Sequence, residues 1–142
     1  MIYSSACEYA IRAATHLALR SPGEFVRASD ISDAEEIPAP FLSSVLQRLV
    51  AFGLLDSTRG PGGGYRLARA PENISLRDIK EAIDGLADLE ACALGLGACS
   101  DDRTCPLHES WQPIRERIRA YLADTTLDRM ANALESRRQR EG

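Results

Sequence analysis

The sequence predicts a mainly α-helical fold with one small β-hairpin. Three observations carry that expectation. Apolar residues recur at helical spacing through the first fifty positions, two strand-like runs flank a glycine-rich tip within residues 54–69, and an apolar seam runs from Leu107 to Tyr121. The 142 residues, 44% of them hydrophobic, suffice for one ordinary domain with a core, or for a small domain plus an oligomerisation arm, and exclude two independent enzyme domains. No stretch approaches the roughly 18 to 20 apolar residues of a membrane span. The opening MIYSSACEYAIRAA has no basic leader and no cleavage site after an apolar run, so a cytoplasmic chain with reduced thiols is expected.

Taken in order, Tyr9, Ala10, Ala13, Ala14, Leu17 and Ala18 mark a first helix over Ser4 to Leu19, stopped by SPG at 21–23. A short second helix fits Ala28 to Glu36, and IPAP at 37–40 breaks the chain. Pro40 suits the opening turn of a third helix, whose stripe is Phe41, Leu42, Val45, Leu46, Leu49 and Phe52, with Gly53 as its stop. Residues 54–69, LLDSTRGPGGGYRLAR, read as a hairpin whose glycines permit positive backbone dihedrals. SLRD at 75–78 resembles a capping box with Asp at its last position, opening a helix that runs to Gly85. Residues 86–105 lack periodicity and form a loop that needs something to organise it.

From Leu107 the apolar residues Trp111, Ile114, Ile118 and Tyr121 follow in alternating steps of four and three, the spacing of a coiled-coil seam, which calls for a partner helix or the chain's own core. Pro113 kinks this helix or marks its start. Residues 136–142, SRRQREG, read as a frayed, solvated end. The expected organisation is therefore a DNA-binding unit over 1–85, a cysteine loop over 86–105, and a dimerisation helix with a C-terminal tail over 106–142.

Two short helices, a tight turn, an amphipathic third helix and a glycine-tipped hairpin describe a winged helix-turn-helix. The third helix leaves Ser43, Ser44, Gln47 and Arg48 away from its core stripe, where they can reach phosphates or base edges. Arg59 stands at the shoulder of the hairpin, suited to a narrow minor groove. Charge distribution agrees better than charge sum. The net charge is -4, yet residues 38–70 carry four arginines against one aspartate, while residues 71–110 carry three basic residues against nine acidic ones. No Gly-Lys-Ser/Thr follows GPGGG, so a phosphate-binding loop is excluded, and no nucleophile with an activating partner is evident, so no catalysis is expected.

Three of the four cysteines, Cys92, Cys99 and Cys105, share one loop, with His108 three residues after the last. Three thiols cannot all pair within one loop. Six residues separate the first two cysteines and five the next two, unlike the close pairs of structural zinc sites. Thiolates with a histidine also suit an iron–sulfur cluster. Spacing alone leaves zinc, a thiol switch and iron–sulfur open. Cys7, on the first helix, reads as a small buried thiol, and His16 and Trp111 as packing residues.

Residues 37–85, above all GLLDSTRGPGGGYRLAR, together with SACEYAIRAATHLA near the start, resemble the IscR/NsrR-type family of winged helix-turn-helix transcription regulators. With the cysteine loop and the helix after it, the resemblance spans nearly the whole chain. It implies a homodimer on double-stranded DNA with a near-palindromic operator, the third helix in the major groove and Arg59 in the minor groove. It also implies an iron–sulfur cluster on Cys92, Cys99 and Cys105, with 2Fe-2S favoured over 4Fe-4S through a histidine ligand at His108. Glu8 of the partner subunit is the alternative fourth ligand. The first cysteine interval is one residue longer than in the histidine-ligated members.

Overall fold

The computed structural model describes residues 2–90 and 106–142. Helix α1 (Ser5–Ala18) starts where the Ser4 hydroxyl accepts the Cys7 amide at 3.1 Å, a side-chain cap on an otherwise orphaned donor. Helix α2 (Ala28–Glu35) stops at Glu36, which adopts a left-handed conformation with φ 53°. Pro38 and Pro40 then bracket the start of α3 (Ala39–Ala51). Gly53, at φ 86°, turns the chain out of α3, and the Leu54 amide returns to the Leu49 carbonyl at 3.0 Å. These three helices follow the expected positions within a residue or two.

Strands β1 (Leu55–Thr58) and β2 (Gly64–Leu67) pair antiparallel with Leu55 opposite Leu67 and Thr58 opposite Gly64. A third rung comes from far upstream. Val26 bridges Tyr65, each amide donating to the other's carbonyl at 2.8 Å, so the hairpin is stitched to the segment between α1 and α2. Gly64 makes this approach possible: at φ 148°, a Cβ there would strike the Val26 carbonyl.

A one-turn helix, Pro71–Asn73, leads to α4 (Leu76–Ile83). The capping box is present: Ser75 accepts from the Asp78 amide at 3.2 Å, and Asp78 accepts from the Ser75 amide at 3.0 Å. A short helix α5 (Ala87–Glu90) follows, at the start of the stretch read as a loop. After the undescribed residues come α6 (His108–Asp124) and α7 (Leu127–Glu141). α6 runs through Pro113, so it neither begins there nor ends there.

The core gathers Ala10, Ala14 and Leu17 of α1, Leu42, Leu46 and Leu49 of α3, and Ile79 of α4. Leu122 and Leu127, both fully buried, join it from the last two helices. Their corner is pinned by a two-residue bridge, in which the Leu76 amide donates to the Thr125 carbonyl and the Leu127 amide to the Ile74 carbonyl, each at 2.9 Å.

Two expectations need correction. The end of the chain is helical to Glu141 rather than frayed from Ser136, because Leu127, Met130 and Ala131 dock α7 onto the body while its last turns remain solvated. Phe41 and Phe52 belong to the edges of the α3 stripe, not its centre, and are 59% and 41% exposed. Cys7 is a buried thiol, as expected.

Two consequences can be measured. Gly64→Ala should lower the free energy of unfolding by about 2 kcal/mol or more, since both the dihedral and the contact oppose a side chain; an unchanged urea midpoint would contradict the bridge to Val26. Burial, helped by the Asp84 carboxylate and opposed by the Lys80 ammonium, pushes the Cys7 thiol up to about 12. The thiolate is the reactive species, so native Cys7 should resist iodoacetamide at pH 8 and react only after denaturation, as mass spectrometry of the labelled peptide would show.

Candidate nucleic-acid interface and metal site

Helix α3 buries Leu42, Val45, Leu46 and Leu49, and with 3.6 residues per turn the opposite face must carry Ser44, Gln47 and Arg48, all exposed. Ser43 sits at the border, half-buried, and receives a 3.5 Å hydrogen bond from the Gln47 amide. Tyr9 of α1 stacks on Phe41, centroids 6.4 Å apart and planes 27° apart, which steadies the first turn of α3. The polar side chains picked from sequence therefore share one solvent-facing surface of one helix.

The turn between the strands holds Arg59, exposed and, among the described residues, without an ion pair. Gly60 and Gly62 take positive φ values of 88° and 76°, and the Gly63 amide closes the turn on the Gly60 carbonyl at 2.9 Å. Arg66, by contrast, is committed. It lies 3.5 Å from Asp56 and 4.4 Å over the Phe25 ring. Arg48 on α3 and Arg59 on the turn are thus exposed cations that, among the described residues, no carboxylate neutralises.

The candidate metal site is only partly in view. Cys92, Cys99 and Cys105 lie outside the described residues. His108 opens α6 and is half-buried, and Glu8 stands half-buried in the first turn of α1. Among the described residues no three His, Cys, Asp or Glu side chains gather around a common point. Two buried donor groups of α6 have no acceptor among the described residues: the Trp111 indole nitrogen, and Nε with Nη1 of Arg115.

The residues just before the cysteines are held from two sides. Lys80 of α4 buries its ammonium, 1% exposed, against both Asp88 carboxylate oxygens at 2.9 and 3.1 Å and the Gly85 carbonyl at 3.2 Å. From α6, Arg119 pairs with Glu90 and donates to the Leu89 carbonyl at 3.3 Å. Asp84 accepts from the amide and hydroxyl of Ser4, tying α4's end to α1's start. Sequence reading singled out none of Lys80, Asp88 or Arg119. The signal was present, since Lys80 falls on the 76, 79, 80, 83 stripe, where an unpaired charge would be costly.

The seam of α6 is exposed along one edge. Leu107, Ile114 and Tyr121, seven residues apart, are 42%, 51% and 50% exposed, while Trp111 and Ile118 are half-buried beneath them. Among the described residues no helix is long and apolar enough to cross a membrane.

Residues 3–133 match the Rrf2 family, described as iron-dependent transcriptional regulators. Over 132 residues the chain is 33% identical to the helix-turn-helix transcriptional regulator IscR of Klebsiella pneumoniae, covering 93% of this chain and 80% of that one. Its fold matches CymR, the global cysteine regulator of B. subtilis, with a TM-score of 0.79 at 24% identity over 92% of this chain and 95% of the other. T. potens IscR aligns with a TM-score of 0.76 at 25% identity over 94% and 88% of the two chains. These relatives are DNA-binding transcription regulators and not enzymes, and the hairpin with α1–α4 is the winged helix they share. The chain belongs to the Rrf2 family of winged-helix transcription regulators.

Proposed function

We propose that this chain is a cytoplasmic homodimeric repressor whose affinity for a near-palindromic operator is set by an iron–sulfur cluster. Cys92, Cys99, Cys105 and His108 are its ligands, with Glu8 of the partner subunit as the alternative to the histidine, and 2Fe-2S is favoured over 4Fe-4S. The observation that carries the reading is the start of α6. His108 opens that helix half-buried, three residues after Cys105, on the same face as two buried donor groups that lack acceptors among the described residues. Thiolates and an imidazole are the donor set an iron–sulfur centre takes. When bound, the cluster supplies a one-electron redox couple and a sensitivity to oxidants.

The chain's own residues do the rest. The exposed edge at Leu107, Ile114 and Tyr121 takes the same edge of a second copy, and two-fold symmetry then presents two α3 helices to successive major grooves. Ser43, Ser44, Gln47 and Arg48 face the groove, and Arg59 reaches the flanking minor groove. The Lys80–Asp88 and Arg119–Glu90 pairs hold the chain just ahead of Cys92 against α4 and α6. A change in the loop's occupancy therefore acts on the position of the dimer helix relative to the winged unit.

Two experiments test this. Anaerobic absorption and electron paramagnetic resonance spectra, with iron and sulfide analysis, should show a 2Fe-2S centre that Cys99→Ala abolishes and His108→Ala alters. A colourless protein holding zinc, or no metal after attempted reconstitution, would replace the iron–sulfur reading with a zinc site or thiol switch. Arg59→Ala should weaken operator binding by about 1 to 3 kcal/mol and flatten its salt dependence by about one counterion. Equal affinities for variant and wild type across a salt series would remove Arg59 from the interface.

A further inference from the structure

We propose that Phe41 reads a base: with Tyr9 and Val45 it forms an apolar slot beside the polar face of α3 that takes the C5-methyl group of a thymine in the major groove. The inference rests on the α3 reading above and deepens it, adding an apolar contact to a face otherwise made of polar side chains. Phe41 is 59% exposed, whereas Leu42, Val45, Leu46 and Leu49 of the same helix are at most 2% exposed. A large aromatic ring left in water, on a helix that otherwise turns its apolar residues inward, marks a surface that something else covers.

Its place on α3 says what it meets. Phe41 is the third residue of the helix, with Ser44 three residues on and Arg48 seven, so the three share one side. Recognition helices touch base edges chiefly with their N-terminal residues. Ala6, Tyr9, Ser44, Val45 and Arg48 join Phe41 in lining a slot of about 320 Å³ between α1 and α3. Tyr9, stacked on Phe41 at 6.4 Å between centroids, is the positioning residue for the ring.

A base pair offers one apolar group in the major groove, the thymine methyl, and phenylalanine is among the side chains that meet it. Among the described residues that line the slot there is no carboxylate and no amide, so nothing there favours the exocyclic amino group of cytosine or adenine instead. Arg48, at the same slot, supplies charge for a neighbouring phosphate. One side of α3 therefore pairs an electrostatic anchor with an apolar contact that carries sequence information.

The test uses the full chain, cluster-loaded or metal-free, whichever binds more tightly, and a duplex that it selects from a random pool. Each thymine is replaced in turn by deoxyuridine, which removes the methyl group and keeps the hydrogen bonds of the pair. In wild type, one thymine position per half-site should lose about fourfold in affinity, the worth of one buried methyl group. Phe41→Ala should bind the thymine duplex more weakly than wild type and should not distinguish it from the deoxyuridine duplex. Phe41→Leu, still apolar, should keep part of the discrimination, and it carries the comparison if Phe41→Ala binds too weakly to measure. A ring that only braced α3 would lower both affinities by the same factor, so the ratio separates contact from support.

A wild type indifferent to deoxyuridine at every thymine would overturn the proposal. So would a deoxyuridine penalty that persists in full in the Phe41 variants, which would mean that another residue meets the methyl group or that a second copy covers Phe41. Both results leave the α3 reading standing. Operator affinity unchanged by Gln47→Ala and by Arg48→Ala would take α3 out of the groove, and this inference with it.

Discussion

Lys80 carries its ammonium group into the interior on the same face of α4 that buries Leu76, Ile79 and Ile83. A charge there is tolerable only if the chain brings oxygen atoms to it, and the chain does so by folding back at once. Gly85 takes φ 74°, its carbonyl points at the ammonium, and Asp88 arrives from the first turn of α5 with both carboxylate oxygens. Asp84, 4.0 Å from the same nitrogen, is also the acceptor for the Ser4 amide that begins α1. One buried cation thus sets the end of α4, the placement of α5 and the start of α1. The described chain leaves this knot at Glu90, directly before the cysteine-bearing residues, and Arg119 reaches across from α6 to hold that same point.

The electrostatics of the winged face follow from which arginines are neutralised rather than from an excess of them. Arg12 engages Glu35, Arg20 engages Glu24, Arg66 engages Asp56, and Arg119 engages both Glu90 and Glu116. Exposed pairs of this kind contribute little to stability. Their effect is to cancel local fields, leaving the outward side of α3 and the hairpin turn with Arg48 and Arg59 uncancelled in a chain of net charge -4. A negatively charged protein can therefore present a positive surface to a phosphate backbone, since the relevant quantity is the local potential within a Debye length of about 10 Å.

What could be read in the sequence was what local chemistry determines. Prolines and glycines around α3, the glycine tip of the hairpin and the Ser75–Asp78 capping box each act within a few residues, and each stands where expected. The solvent face of α3 was legible for the same reason, because helical periodicity sorts Ser44, Gln47 and Arg48 from Leu42 and Leu46. Non-local effects were not legible. The Val26–Tyr65 bridge joins positions thirty-nine apart, and nothing in either residue announces the other. Helix α7 was missed because it buries so little of itself: Leu127 and Ala131 suffice to dock a segment otherwise made of polar and charged residues, with no long apolar stripe to detect. The edge positions of Phe41 and Phe52 escaped notice because a stripe drawn from residue type alone cannot say how wide a face the core covers.

Helix α6 is where these strands of argument meet, since its faces carry three different environments. Leu122 is fully buried in the core, Leu107, Ile114 and Tyr121 lie half open to solvent at seven-residue intervals, and Arg115 is enclosed with Nε and Nη1 lacking an acceptor among the described residues. Fully burying a side chain such as leucine or isoleucine is worth about 1.5 to 3 kcal/mol, so covering the exposed half of these three residues on each chain would, on the proposed reading, favour a second copy. On the proposed reading the same rigid rod holds a cluster ligand at its first residue, the interface along its edge and the core contact near its end. A helix cannot respond at one face alone. A displacement at His108 moves Leu107 and Ile114 with it, while the bridge at Leu76 and Leu127 keeps the far end fixed to the winged unit. On the proposed reading, that lever, anchored at one end and loaded at the other, turns a small change in charge or ligation at the start of α6 into a change in the spacing of two recognition helices.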